Sequence, residues 1–372
     1  MTAQSMRTWT TLAVGAALLG VGFAAGYLRY HPPTLTAAVA ESLEAAQRHA
    51  RELGNRLVSS RHLPEDAEPP AGEPLWKALT PWTDETLFER PPKTPGTVVV
   101  YVHGYNTSLP SAIANGNILA HELAALTASE PGSLLFYTFC WRGDFDRLEF
   151  ERSERAATPA GAALADFLKR LSDDDLLAEH PRVVLLAHSL GARVALEAAK
   201  HLWQTAPRPW LGYLVLVQAA VPRGDLYVGT VQIFQSPRRA QEAGFVDPIK
   251  LQEYTHRGAY VDSLGVARHV IVTTSNGDGT LAGAYHADRH RWMNNAAFRY
   301  LPDLDEALGS PRGEWDAAPT HYREIPLTTA LLSPARGHGG VYTHPELIRL
   351  LWQTMLDEES TARGAGVQPQ AR

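Results

Sequence analysis

Arg182 to Ala187 (RVVLLA) is a short apolar run rich in branched side chains, and Leu190 to Leu202 has the spacing of an amphipathic helix. Only His188 and Ser189 separate them. A chain that passes from strand to helix over two residues must turn sharply, and a strand apolar at nearly every position fits a parallel sheet covered on both faces. This junction is the strand-turn-helix unit of a parallel α/β fold.

The rest of the chain repeats the alternation. Thr97 to Val102 (TVVVYV), Ser133 to Cys140 (SLLFYTFC), Tyr213 to Ala219 (YLVLVQA) and Val266 to Thr273 (VARHVIVT) read as further strands, and Arg323 to Leu327 as a last one. Helical spacing appears over Ile118 to Leu126, Pro159 to Leu171 and Pro345 to about Leu356. Strands alternating with helices imply an α/β fold with a doubly wound, mostly parallel sheet and right-handed crossovers. Pro222 to Ser263 and Leu281 to His321 are long insertions without a clear core strand, the kind of segment that carries lids or binding loops.

Upstream of Gly96 the composition differs. Thr8 to Leu28 carries no charge and is flanked by Arg7 and Arg29. As a helix it would cover roughly 30 Å, the thickness of a bilayer core, so an N-terminal transmembrane helix is expected. Trp9, Tyr27 and Tyr30 suit the two interfaces, and the apolar run exceeds that of a secretory signal. The basic residues on its two sides leave orientation open, and a periplasmic domain is favoured. Leu35 to about Ser60 reads as a spacer helix, and Pro64 to Pro95 as a Pro-rich linker. The expected division is therefore 1–30 anchor or signal, 31–95 spacer and linker, 96–358 catalytic-type domain, and 359–372 disordered tail.

With 34 Lys+Arg against 40 Asp+Glu the net charge is −6, which argues against nucleic acid as a partner. Cys140 is the single cysteine, so neither an intrachain disulfide nor a cysteine zinc cluster is possible. His286 and His290 have helical metal-ligand spacing, yet no third ligand is evident, and no Gly-rich phosphate loop occurs. No cofactor is expected.

Chemistry concentrates at two strand ends. A serine in a strand-to-helix elbow is lifted into the open, provided that its neighbours are small; Ala187 and Gly191 meet that need around Ser189. The start of the following helix directs amide N–H groups toward the serine, with Leu190 the first donor for an oxyanion. Val102-His103-Gly104-Tyr105-Asn106 follows the TVVVYV strand, and a glycine there lets a second amide, that of Tyr105, come close.

These two segments, VVVYVHGYNTS and VVLLAHSLGARVALEAA, together with Phe139-Cys140-Trp141-Arg142-Gly143, resemble the α/β-hydrolase superfamily, and within it bacterial serine hydrolases with a V-H-G-Y-N loop. The resemblance spans about Gly96 to Leu356, by motif order alone in its second half. It implies the chain order Ser, acid, His. Asp278, in the turn after VARHVIVT, is the expected acid, with Asp225 the alternative. His338, between glycines ahead of the last helix, is the expected base; His344, next to Pro345, is the alternative and reads as a helix start.

The activity so implied is cleavage of a small-molecule or lipid ester through an acyl-enzyme on Ser189. Two readings stand beside it: an inactive membrane-tethered scaffold, and the same residues acting on an amide or thioester. Tyr227, Phe234, Phe245, Tyr254, Tyr260, Trp292 and Phe298 in the insertions are candidates for an apolar acyl pocket.

Overall fold

The computed structural model describes residues 43–65, 73–89, 95–128, 133–145, 149–173, 182–226, 228–233, 252–275, 278, 281, 322–327 and 338–364. The β-branched runs form the expected strands, with ends that differ from the expected ones by no more than two residues. β1 is Asn55–Ser59, β2 Lys77–Ala78, β3 Pro95–Val102, β4 Ser133–Cys140 and β5 Arg182–His188. β6 is Leu211–Val217, β7 Val228–Ile233, β8 Gln252–Arg257, β9 Ala267–Thr274 and β10 Tyr322–Pro326. The helices are α1 Leu43–Glu52, α2 Asp84–Leu87, α3 Leu109–Thr127, α4 Phe150–Asp173, α5 Gly191–Thr205, α6 Gly340–Thr343 and α7 Pro345–Gly364.

Eight strands form one sheet in the order β2-β1-β4-β3-β5-β6-β9-β10, parallel throughout except for the β1–β2 pair. The continuous apolar runs are explained by burial on both faces. Val98, Val100 and Val102 of β3 pack on one side with Leu164, Phe167 and Leu168 of α4 and Leu196 and Leu202 of α5. Val99 and Tyr101 point to the other side, where Leu119 and Leu123 of α3 meet Leu347, Ile348, Leu351 and Trp352 of α7.

From β3 the chain moves to β4 on one side, then returns to β5 on the other. The order therefore reverses between β3 and β5, and the loops leaving their carboxyl ends diverge. In an open α/β sheet this switch point is where a crevice forms. Both chemistry-bearing motifs lie there.

The structure corrects the reading of the segment ahead of Gly96. The helix expected to reach Ser60 ends at Glu52, because Gly54 takes φ 69° and its amide turns back on the Arg51 carbonyl. Asn55–Ser59 is then a strand alongside β4. Its Asn55 is buried and bonded to Asn117 of α3 at 2.8 Å and to Thr138 of β4 at 2.8 Å. Arg56 donates to the Leu87 carbonyl at 2.6 Å at the end of α2, where carbonyls lack helical partners and favour a cation. Residues assigned to spacer and linker thus belong to the sheet and core.

The tail is corrected as well. Helix α7 continues to Gly364 rather than ending near Leu356, and Glu359 receives both Nε and Nη2 of Arg182 at 2.9 and 2.8 Å. Within the insertion that starts at Pro222, β7 and β8 form a separate antiparallel pair. The expected transmembrane span, residues 1–30, lies outside the described residues. Among the described residues no helix is long and apolar enough to cross a membrane.

Candidate active site

Ser189 occupies the turn between β5 and α5 with φ 55°, a left-handed conformation that costs a non-glycine residue on the order of 1 kcal/mol or more. Its backbone is held on both sides. The Ser189 amide donates to Val217 at the end of β6 (2.9 Å), and its carbonyl accepts from Ala220 (3.1 Å). The smallness of Gly191 has a direct cause: a Cβ there would lie 2.4 Å from the His103 carbonyl oxygen and 2.6 Å from that of Val102. The amides of Ala192 and Arg193 turn back on the carbonyls of Ser189 and Leu190, leaving Leu190 at the N-cap of α5.

The loop after β3 runs against this elbow. A Cβ on Gly104 would sit 2.8 Å from Ser189 Cβ and 3.2 Å from the His188 carbonyl. No other residue type lets the Tyr105 amide's own peptide come so near the serine.

Ser189 Oγ lies 2.7 Å from His338 Nε2, and His338 Nδ1 lies 2.8 Å from Asp278 Oδ2. A carboxylate only accepts, so Nδ1 carries the proton and Nε2 presents its lone pair to the serine hydroxyl. The second carboxylate oxygen of Asp278 accepts from the Leu281 amide at 3.1 Å, and the side chain is fully buried. Asp278, of the two candidate acids, is the one brought to His338. Asp225 lies instead in the 3₁₀ turn after β6, where its carbonyl accepts from the Tyr260 amide and its charge acts on Arg193. His344 sits between α6 and α7, its amide on the Gly340 carbonyl and its own carbonyl receiving the Leu347 amide, a helix-boundary role. His286 and His290 lie outside the described residues.

Two buried side chains and one partly buried one that the motifs did not single out lie around this centre. His188 places its ring 5.0 Å from that of His338 and 5.0 Å from that of Tyr342. Burial first, then the charges of His338 and His103, hold its pKa well below the ordinary histidine range, so it is neutral. Tyr342, on the short helix α6 that follows His338, bonds hydroxyl to hydroxyl with Tyr101 of β3. Trp141, at the end of β4, is fully buried against His103. A buried polar residue next to a motif was the available signal for His188; nothing local pointed to Tyr342.

Of the aromatic residues proposed for a pocket, Tyr260 is buried elsewhere. Its hydroxyl donates to Glu197 of α5 at 2.6 Å, tying the end of the insertion to the helix. Tyr254 lies on β8, and the others fall outside the described residues.

Residues 82–245 match the family model for an alpha/beta hydrolase of unknown function, DUF900. The fold is that of an α/β hydrolase. Within the matched stretch lie Ser189, Leu190 and Tyr105, while Asp278 and His338 fall beyond it. No curated protein matches the sequence. Two solved structures resemble the chain at a distance. One belongs to the work on LipS and LipT, two metagenome-derived lipolytic enzymes, at 12% identity over 72% of this chain and 97% of that one, with a TM-score of 0.34. The other is the carboxylesterase CesB (YbfK) from Bacillus subtilis, at 11% identity over 72% and 85%, with a TM-score of 0.30.

Proposed function

We propose that this chain is an α/β hydrolase that cleaves carboxylic esters through an acyl-enzyme on Ser189. The observation that carries the reading is the unbroken line of two hydrogen bonds, 2.8 and 2.7 Å, from Asp278 through His338 to the hydroxyl of a serine held at positive φ. In this reading His338 Nε2 takes the hydroxyl proton as Oγ bonds to the ester carbonyl carbon. The carbonyl oxygen becomes an oxyanion received by the amides of Leu190 and Tyr105, each such donor contributing on the order of 10²-fold in rate. The imidazolium returns the proton to the departing alcohol, and a water activated by the same ring releases the acid. Asp278 stays ionised, fixes the Nδ1–H tautomer and stabilises the imidazolium.

The test is turnover of a short p-nitrophenyl ester and labelling by a fluorophosphonate. Wild type should show both; Ser189→Ala should show neither while melting at an unchanged temperature. Turnover retained by Ser189→Ala overturns the assignment. A folded wild type that is neither labelled nor active would leave the scaffold reading in its place.

The uncharged Thr8–Leu28 stretch adds a membrane anchor to the proposal. The full chain should remain in the membrane fraction after a carbonate wash, and a chain starting at Ser42 should not.

A further inference from the structure

We propose that His103 is a positioning residue that sets the direction of the Tyr105 amide by locking the Gly104–Tyr105 peptide onto the loop after β4. The proposal rests on the acyl-transfer reading above, because it gives that reading's second oxyanion donor its orientation.

His103 is fully buried at the end of β3, and both ring nitrogens are used. Nε2 lies 3.2 Å from the backbone amide of Trp141, which can only donate, so Nε2 accepts. Nδ1 lies 2.9 Å from the carbonyl oxygen of Gly104, which can only accept, so Nδ1 donates. The two bonds require one neutral tautomer and one ring orientation. The Trp141 indole lies parallel to the ring within 19° at 5.7 Å between centroids, and its Nε1–H returns a bond to the His103 carbonyl at 2.7 Å. The loop is closed again two residues on, where the Asn106 amide donates to the Gly143 carbonyl at 2.6 Å.

The consequence follows from peptide geometry. In a trans peptide the C=O and N–H point in opposite directions. The Gly104 carbonyl is drawn toward His103, on the side where a Cβ on Gly143 would come within 3.0 Å of it. The N–H of the same peptide, that of Tyr105, is therefore turned away from the Trp141–Gly143 loop, while Gly104 itself faces Ser189. A second support holds the loop from behind: Arg61 donates to the Trp141 carbonyl at 3.0 Å and pairs with Asp144. The Nδ1–H bond is the one that acts on the Gly104 carbonyl itself, and its loss lets this peptide flip and present a carbonyl where an oxyanion would form.

The experiment uses the full chain and three variants. His103→Phe keeps a ring and removes both bonds; His103→Asn keeps an N–H near the Nδ1 position and so can hold the Gly104 carbonyl. Trp141→Phe removes only the indole donor. His103→Phe should lose about 30- to 100-fold in kcat with KM within about two-fold, since oxyanion donors act on the transition state and not on ground-state binding. Its affinity for an alkyl trifluoromethyl ketone, whose adduct with serine carries the oxyanion, should fall by the same factor. His103→Asn should recover at least a third of the lost kcat on a logarithmic scale. Should His103→Phe fail to fold by circular dichroism, Trp141→Phe carries the same readout at about ten-fold. A folded variant with unchanged kcat, a loss confined to KM, or an Asn variant no better than Phe overturns the proposal. The acyl-transfer reading fails separately, if wild-type turnover survives Ser189→Ala.

Discussion

Acid should destabilise this protein through His103 in a way one substitution can isolate. Burial, as the first cause, brings the His103 pKa down from 6.5 to about 4, and the nearby Arg61 charge adds to it. Below pH 6.5 the unfolded chain takes up a proton that the folded protein refuses, so stability falls with pH until about 4, where the folded ring also protonates. For these two values the linkage costs about 2.5 kcal/mol between pH 7 and pH 4.5. His103→Asn does not titrate, and every carboxylate and His188 remain in both proteins and cancel from the difference. Urea unfolding followed by tryptophan fluorescence at the two pH values measures it. Wild type should lose about 2 kcal/mol more than His103→Asn on going to pH 4.5. Parallel losses in the two proteins would refute the buried neutral ring, and with it the fixed tautomer.

Asp278→Asn should lower kcat by about 10³-fold or more with KM little changed, because the amide permits the wrong His338 tautomer; steady-state kinetics on the p-nitrophenyl ester checks it. Gly191→Ala drives a Cβ to 2.4 and 2.6 Å from two backbone carbonyls, and should cost about 3 kcal/mol in a urea titration. Tyr260→Phe leaves the buried Glu197 carboxylate without its phenol donor and should cost about 1–3 kcal/mol, also read from urea midpoints. The Cys140 thiol is buried and its pKa is pushed up to about 12 by that burial, so Ellman's reagent should react only as the protein unfolds.

Much of the fold was legible because its signals are local. Each two-face-buried strand announces itself as an apolar run, as in TVVVYV and RVVLLA, and each helix by its period. The elbow was legible for the same reason, since strand, turn and helix adjoin around Ser189. Asn55–Ser59 was not: NRLVS follows a helix closely, and only Gly54 at φ 69° and pairing with β4 make it a strand. The helical end of the chain was missed because the Glu359–Arg182 pair that anchors it joins residues 177 positions apart.

The sequence by itself determined which backbone conformations were possible and which side chains could do chemistry. It placed a serine in a forced turn, put a small residue wherever the elbow needed one, and narrowed acid and base to two candidates each. The tertiary structure decided which candidates meet. His338 reaches Ser189 across 149 positions and Asp278 across 60, while His103 is locked by a tryptophan 38 positions away. Such contacts are set by strand order and by the loops that the sheet's switch point brings together. Their geometry depends on parts of the chain that local propensity does not relate.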